Sequence, residues 1–119
     1  MDGSMDNSEL VSLAEQKFEE LQSRIYGEIN ALLKYAKLNA LDVLKNRTPT
    51  YSESAAILKQ YVGIIEKLQD MGIPIPKQAI VELEKIVTIF TSLAVAIDQQ
   101  DVEGLGAAIA ALDCEPYIL

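Results

Sequence analysis

The strongest helical signal in this chain lies in residues 76–99, PKQAIVELEKIVTIFTSLAVAIDQ. Apolar side chains recur there at intervals of three and four residues, which is the spacing of one helix face. They are Ile80, Leu83, Ile86, Val87, Phe90, Leu93, Ala94 and Ile97, and Ile89 and Val95 widen the face. A helix that is apolar over most of its surface is covered on several sides. We therefore expect this helix to be central to its bundle or to be covered by another chain.

Turn signals before this helix delimit a second one. Gly72 followed by Ile73 is typical of a helix end with a left-handed residue and a hydrophobic contact, and two prolines then form a stiff, extended connector. Upstream, Thr50 and Glu53 have the spacing of a capping box. We predict a helix over about residues 51–71. Its inner stripe would be Leu58, Tyr61, Ile65 and Leu68, widened by Ile57 and Ile64.

A longer apolar stripe occupies the first third of the chain. Its members are Val11, Ala14, Phe18, Leu21, Ile25, Ile29, Leu32, Ala36, Ala40 and Val43. Because no turn resets the phase of this pattern, it predicts one helix over about residues 8–46, with a bend permitted at Gly27. Pro49 then pushes the chain out of helical geometry.

A fourth, shorter helix is predicted over about residues 101–112. Asp101 can cap its start, and Gly104 and Gly106 would allow close approach of its backbone to a neighbour. The side chains expected to face inward are Val102, Leu105, Ala108, Ile109 and Leu112. The predicted fold is thus all-α, a single-domain antiparallel bundle of four helices whose first helix is much longer than the rest. Residues 1–7 would be a disordered lead, residues 8–113 the bundle and residues 114–119 a tail.

Composition excludes several classes of function. The chain has 119 residues, with 18 acidic and 10 basic side chains, a net charge of −8, one cysteine and no histidine. The lack of histidine excludes Ser-His-Asp and Cys-His catalysis, His-ligated zinc or haem, and the Glu-x-x-His motif of di-iron bundles. No calcium-loop motif is present, and the acidic spacing indicates no pair of carboxylates converging in a cleft. We therefore expect no catalytic residue, no cofactor and no metal site, and thus no enzyme.

The same composition limits the partners and the compartment. Clustered Lys and Arg are needed to neutralise phosphates, so a net charge of −8 disfavours nucleic acid and anionic membranes. The longest apolar stretch, residues 86–97, is 12 residues long. A membrane span needs ~20. The lone Cys114 has no partner for an internal disulfide, which fits a reducing compartment. We predict a soluble, cytoplasmic protein.

Hydropathy and charge placement point to a protein partner. The mean hydropathy of +0.14 indicates either an alanine-rich buried core or an apolar surface kept for a partner. A first helix longer than its neighbours leaves part of its stripe to meet the fourth helix, to bend back at Gly27 or to pack on a second copy, so a dimer is one of three alternatives. Acidic side chains are concentrated in residues 1–20 and 98–119, whereas residues 24–47 are net basic.

The candidate partner-binding residues form two groups. Tyr26 and Tyr35 lie off the main stripe of the first helix, and with three leucines they suggest a second apolar strip, which would either meet a partner or pack against the fourth helix. The tail resembles a hydrophobic C-terminal recognition motif, or it could dock on its own bundle or be disordered. The candidates are Tyr26, Leu33, Tyr35, Leu41, Leu44, Tyr117 and Leu119.

The leading functional hypothesis is a non-enzymatic protein–protein interaction module of adaptor, chaperone-like or regulatory type. It would present an apolar helical face with an acidic rim to another protein. An alternative is an acidic inhibitor or immunity-type protein that binds a basic target. A further alternative is a carrier of an apolar small ligand, with its pocket between the second and third helices.

Overall fold

A computed structural model describes residues 7–38 and 50–113, and over these residues the protein is an all-α bundle. A short 3₁₀ helix, Lys34–Ala36, follows the first α-helix, and the described residues contain no strand. The prediction of a four-helix bundle with the first helix longest is confirmed. The α-helices are α1 (Asn7–Leu33), α2 (Tyr51–Asp70), α3 (Lys77–Gln99) and α4 (Val102–Asp113).

The predicted extension of the first helix to residue 46 is wrong, because α1 ends at Leu33. Lys37 is left-handed, with a φ of 59°. The amide of Leu38 donates to the carbonyl of Leu33 at 3.1 Å, as in a Schellman helix end. Glycine usually occupies the left-handed position at such a helix end, but here the residue is a lysine. Because the apolar spacing also continues past it, the sequence gives no signal that the helix stops. Residues 39–46 of the predicted helix lie outside the described residues.

The ends of α2 follow the sequence prediction. The Thr50 hydroxyl oxygen accepts a hydrogen bond from the Glu53 amide at 3.2 Å, and the hydroxyl donates to the Glu53 carboxylate at 3.1 Å. At the other end Gly72 is left-handed, with a φ of 92°, and the amide of Ile73 donates to the carbonyl of Leu68 at 3.1 Å. Both the cap and the stop are therefore confirmed.

The core is built around α3, which packs against α1, α2 and α4. Phe90 of α3 stacks on Phe18 of α1 with ring centroids 4.2 Å apart, and Tyr51 meets Phe18 edge-on at 4.7 Å. Burying each large apolar side chain stabilises the fold by about 1.5–3 kcal/mol. The expected central position of this helix is confirmed. The largest fully buried side chains are Phe90, Ile25, Ile29, Leu33, Leu58, Ile65, Leu83, Leu93 and Leu105.

Two expected inward positions are displaced towards the surface. Ile64 on α2 and Val102 on α4 are exposed, whereas Ala55 and Val62 are buried on α2. The inner face of α2 is thus rotated from the predicted stripe towards smaller side chains. A prediction of the inner face from hydrophobicity chooses Ile and Tyr before Ala. The face of a helix that packs closely on a neighbour often carries small residues instead, so the prediction is displaced.

Polar contacts fix the start of α2 to both neighbouring helices. The Tyr51 hydroxyl donates to Oε2 of Glu15 at 2.7 Å, and Oδ2 of Asp98 accepts from the amide of Ser52 at 2.9 Å. The hydrogen bond to Glu15, followed by burial and the nearby carboxylate charges, raises the pKa of Tyr51 to about 12.

Within the described ranges, no helix has both the length and the apolar character that crossing a membrane requires.

Candidate functional site

A groove runs along one face of α3. Both α2 and α4 pack against α3, but they scarcely touch each other, so no described helix covers the face of α3 between them. We call this gap the α3 groove. Its floor consists of Thr88, Thr91 and Ser92, which line both of its halves and make them continuous.

The two halves of the α3 groove have different walls. The first half, a cavity of about 380 Å³ between α2 and α3, is lined by Lys59, Val62, Gly63, Glu66, Glu84 and Val87 besides the floor. The second half, a cavity of about 530 Å³ between α3 and α4, is lined by Ile89, Val95, Ala96, Asp101, Gly104, Ala107, Ala108 and Ala111. From Glu84 to Val95 the groove follows α3 for about 17 Å, since an α-helix rises 1.5 Å per residue.

The hydroxyl groups of the floor are satisfied within α3 itself. Thr88 donates to the carbonyl of Glu84 and Thr91 donates to that of Val87, each at 2.8 Å. Ser92 donates to the carbonyl of Thr88 at 3.2 Å. A hydroxyl that donates back to its own helix needs no further acceptor. The floor therefore presents its methyl and methylene groups, and a largely apolar surface can cover it without leaving a donor unpaired.

Glycine serves different purposes on the two walls. A Cβ at Gly104 would lie 2.6 Å from Oδ2 of Asp101 and 3.3 Å from the Cβ of Ala96, so glycine allows the close approach of α4 to α3 predicted from the sequence. At Gly106 a Cβ would meet no atom within 4 Å, and the same prediction is wrong there. Gly63, in the wall formed by α2, also faces open space.

Two carboxylates meet at the edge of the first half. Glu66 of α2 and Glu84 of α3 both line the first half and lie close enough for Glu84 to raise the pKa of Glu66, which corrects the expectation that no carboxylates converge. Spacing along one helix cannot reveal a pair formed across two helices. Burial, the hydrogen bond to Glu84 and the charges of Glu84 and Asp70 together raise the pKa of Glu66.

The net charge of the groove lining is negative. Among the described residues that line it, Glu66, Glu84 and Asp101 are acidic and Lys59 is basic. Over the same described ranges, no group of three or more carboxylates or thiols is placed to hold a metal ion.

The predicted partner-binding strip is not assembled as expected. Leu33 is 0% exposed, so its assignment to a surface strip is wrong, since its side chain packs in the core. Tyr26 is half-buried against the core, and Tyr35 is 53% exposed. The remaining candidates lie outside the described residues. They are Leu41, Leu44, Tyr117 and Leu119.

Sequence reasoning placed a pocket between the second and third helices in the carrier alternative, where the first half of the α3 groove lies, but it missed the half between α3 and α4, although a signal for that half exists. Residues 86–97 contain no charged side chain, yet Thr88, Ser92 and Val95 recur on one face of the helix. A solvated helix face normally carries charge, so three uncharged turns with small residues on one side indicate a surface that is neither core nor ordinary exterior.

Comparison with protein-family models, curated proteins and solved structures finds no match to this chain.

Proposed function

We propose that this protein is a non-enzymatic interaction module that receives a helix of another protein in the α3 groove. The observation that supports this is the open face of α3 between α2 and α4. The α3 helix already packs against α1, α2 and α4 on its other sides. Along its face between α2 and α4 two adjoining cavities of about 380 and 530 Å³ remain, and none of the described helices fills them.

The lining of the groove suits a helix better than an extended peptide. An extended peptide gains affinity from a sheet edge with free backbone groups, whereas a helix gains it by laying an apolar face into a groove. The floor of Thr88, Thr91 and Ser92 donates its hydroxyl hydrogens to α3, and the wall from α4 presents Ala107 and Ala111. Small side chains of this kind let two helix backbones approach closely.

The loss of helix stability that a glycine causes at position 63 also supports the proposal. A glycine within a helix destabilises it by ~1 kcal/mol relative to alanine. No atom of the described structure lies within 4 Å of the position that a Cβ at Gly63 would take, so internal packing does not require glycine there. Gly63 leaves this part of the α2 wall without a side chain, so an incoming helix can approach it closely. We place the module in the cytoplasm, since its single cysteine suits a reducing compartment.

A selection from a displayed library of helical peptides tests the proposal. Wild-type protein and two variants, Gly63→Leu and Gly27→Leu, serve as targets. The first variant fills the groove, while the second places the same side chain on α1, where a Cβ also meets no atom within 4 Å. We expect to select peptide families that bind the wild type and Gly27→Leu but do not bind Gly63→Leu. Enriched families that bind all three targets equally would contradict the proposal.

A carrier of an apolar small ligand is a second candidate, because the cavity between α2 and α3 measures about 380 Å³. Ligand pockets are typically ~300–1,000 Å³ in volume. Against it stand the charged side chains of Lys59, Glu66 and Glu84 in the lining, which an apolar ligand would have to desolvate. Native mass spectrometry of freshly purified protein distinguishes the two candidates, since a carrier retains a lipid-like mass that Gly63→Leu loses.

A further inference from the structure

The charges around the α3 groove are placed unevenly along it. Lys59 lies on the α2 wall one helical turn before Gly63, and Glu66 follows Gly63 on the same wall. Glu66 reaches across to Glu84 of α3, and Asp70 adds a further negative charge nearby. The end of the first half that contains Glu66 and Glu84 is therefore acidic, while the floor beyond it is uncharged.

Two like charges in contact make this acidic end unfavourable when nothing covers it. Bringing two carboxylates together disfavours their joint ionisation, which agrees with the raised pKa of Glu66. A cation placed between Glu66 and Glu84 would remove the repulsion and gain two charge-assisted hydrogen bonds. The free protein thus has a repulsion that the right partner would relieve.

The second half of the groove ends at a further acid. Asp101 lines it together with Val95 and Ala111, and Glu103 is exposed in the first turn of α4. The α3 groove, about 17 Å long from Glu84 to Val95, thus has acidic residues at both ends, and Lys59 is the basic residue among those that line it. That length corresponds to about three helical turns, or 11 residues, of a docked helix.

We propose that the α3 groove binds a basic amphipathic helix of another protein, with a Lys or Arg side chain held between Glu66 and Glu84. Its apolar face lies on Thr88, Ser92 and Val95, and a second basic residue near its other end meets Asp101. This inference rests on the proposed function and adds the charge of the partner. A second copy of this chain fits less well, since its net charge is −8.

Two synthetic peptides test the charge of the partner directly. The first is a fluorescein-labelled helix of about 18 residues with Ala and Leu at i, i+3, i+4 and i+7 and Lys on both flanks. The second has the same apolar face with every Lys replaced by Glu. Fluorescence anisotropy measures both against the wild type, Gly63→Leu, Gly27→Leu and the double variant Glu66→Gln/Glu84→Gln. Circular dichroism and melting curves check that every variant is folded.

The expected result combines charge preference with dependence on the groove. For the wild type and for Gly27→Leu, the affinity of the basic peptide is at least about tenfold higher than that of the acidic peptide. Gly63→Leu abolishes binding of the basic peptide. The double variant weakens the basic peptide about tenfold and flattens its dependence on salt, because the two carboxylates that attract it are gone.

Other outcomes overturn the inference in distinguishable ways. If both peptides bind equally and Gly63→Leu blocks both, the groove binds helices without regard to charge, so the inference fails and the proposed function stands. If binding is unchanged in Gly63→Leu, both fail. Absence of binding up to about 1 mM peptide overturns the inference. Sedimentation equilibrium covers the remaining occupant, since a wild-type dimer that Gly63→Leu converts to a monomer would show a second copy in the groove.

Discussion

The two faces of α3 differ in what covers them. The closed face, defined by Leu83, Phe90 and Leu93, is buried and carries large side chains that interlock with the rest of the core. The groove face, defined by Thr88, Ser92 and Val95, carries small side chains, and Val95 is 37% exposed. Both faces belong to one helix with one backbone geometry. Side-chain size therefore follows the cover that the described helices provide.

The sharpest test of this difference is truncation on each face. Phe90→Ala removes the ring that stacks on Phe18 at 4.2 Å and should cost about 3–5 kcal/mol. That is a large part of the roughly 5–15 kcal/mol that stabilises a domain. Val95→Ala on the groove face should cost less than about 1 kcal/mol, since no cavity forms at a partly exposed site. Urea unfolding of both variants measures the two costs, and similar midpoints would contradict the distinction between the faces.

Tyr51 provides a polar test of the closed side. Tyr51→Phe keeps the edge-on contact with Phe18 but removes the 2.7 Å hydrogen bond to Glu15. We expect a loss of about 1.5 kcal/mol at neutral pH, the lower end for a bond to a charged group, because the site is partly exposed. Tyr35→Phe is the matched control, since Tyr35 is 53% exposed, and its unfolding free energy should stay at the wild-type value.

The effect of Tyr51 should disappear at alkaline pH. Its pKa is raised from 10.0 to about 12, so the fold stabilises the neutral phenol. This contribution is fully present below pH 10, the unfolded pKa, and is lost as the pH rises through about 12. The unfolding free energies of the wild type and Tyr51→Phe, measured from neutral pH upward, should therefore converge over that interval. A constant difference across it would contradict the assignment.

Glycines on the two walls of the groove give a smaller test. Gly63→Ala should stabilise the protein by ~1 kcal/mol, since alanine favours the helix and the added methyl group meets open space. Gly104→Ala should bring no such gain, because its Cβ would lie 2.6 Å from the Asp101 carboxylate. Thermal melting of both variants checks the contrast. Equal stabilisation would mean that the Asp101 side chain can move away from the added methyl group at no cost.

How much of this could be predicted from the sequence differs between the two faces. The closed face and the ends of α2 follow from local rules, since apolar spacing, the Thr50 cap and the Gly72 stop each act within a few residues. The end of α1 at Lys37 does not, because a lysine takes the left-handed position that glycine would have marked. The groove and the Glu66–Glu84 pair depend on how separate helices are arranged, which periodicity along one helix does not contain.

The smallest expected effect lies at the acidic end of the groove. The raised pKa of Glu66 means that the folded protein disfavours the ionised form of this carboxyl group. The stabilisation from the protonated carboxyl is therefore present below pH 4.5, its ordinary pKa, and is lost as the pH rises through its pKa in the folded protein. Glu66→Gln should therefore stabilise the protein at neutral pH, by less than about 0.5 kcal/mol because solvent screens the pair, and the gain should vanish on acidification. In a Glu84→Gln background the gain should be smaller but should not vanish, because desolvation, the largest cause of the raised pKa of Glu66, and the charge of Asp70 both remain. Melting temperatures of the four proteins of this cycle, compared at neutral and acidic pH, provide the measurement. A gain of the same size without Glu84 would show that the two carboxylates do not repel each other, and this would remove the argument for a cation between them.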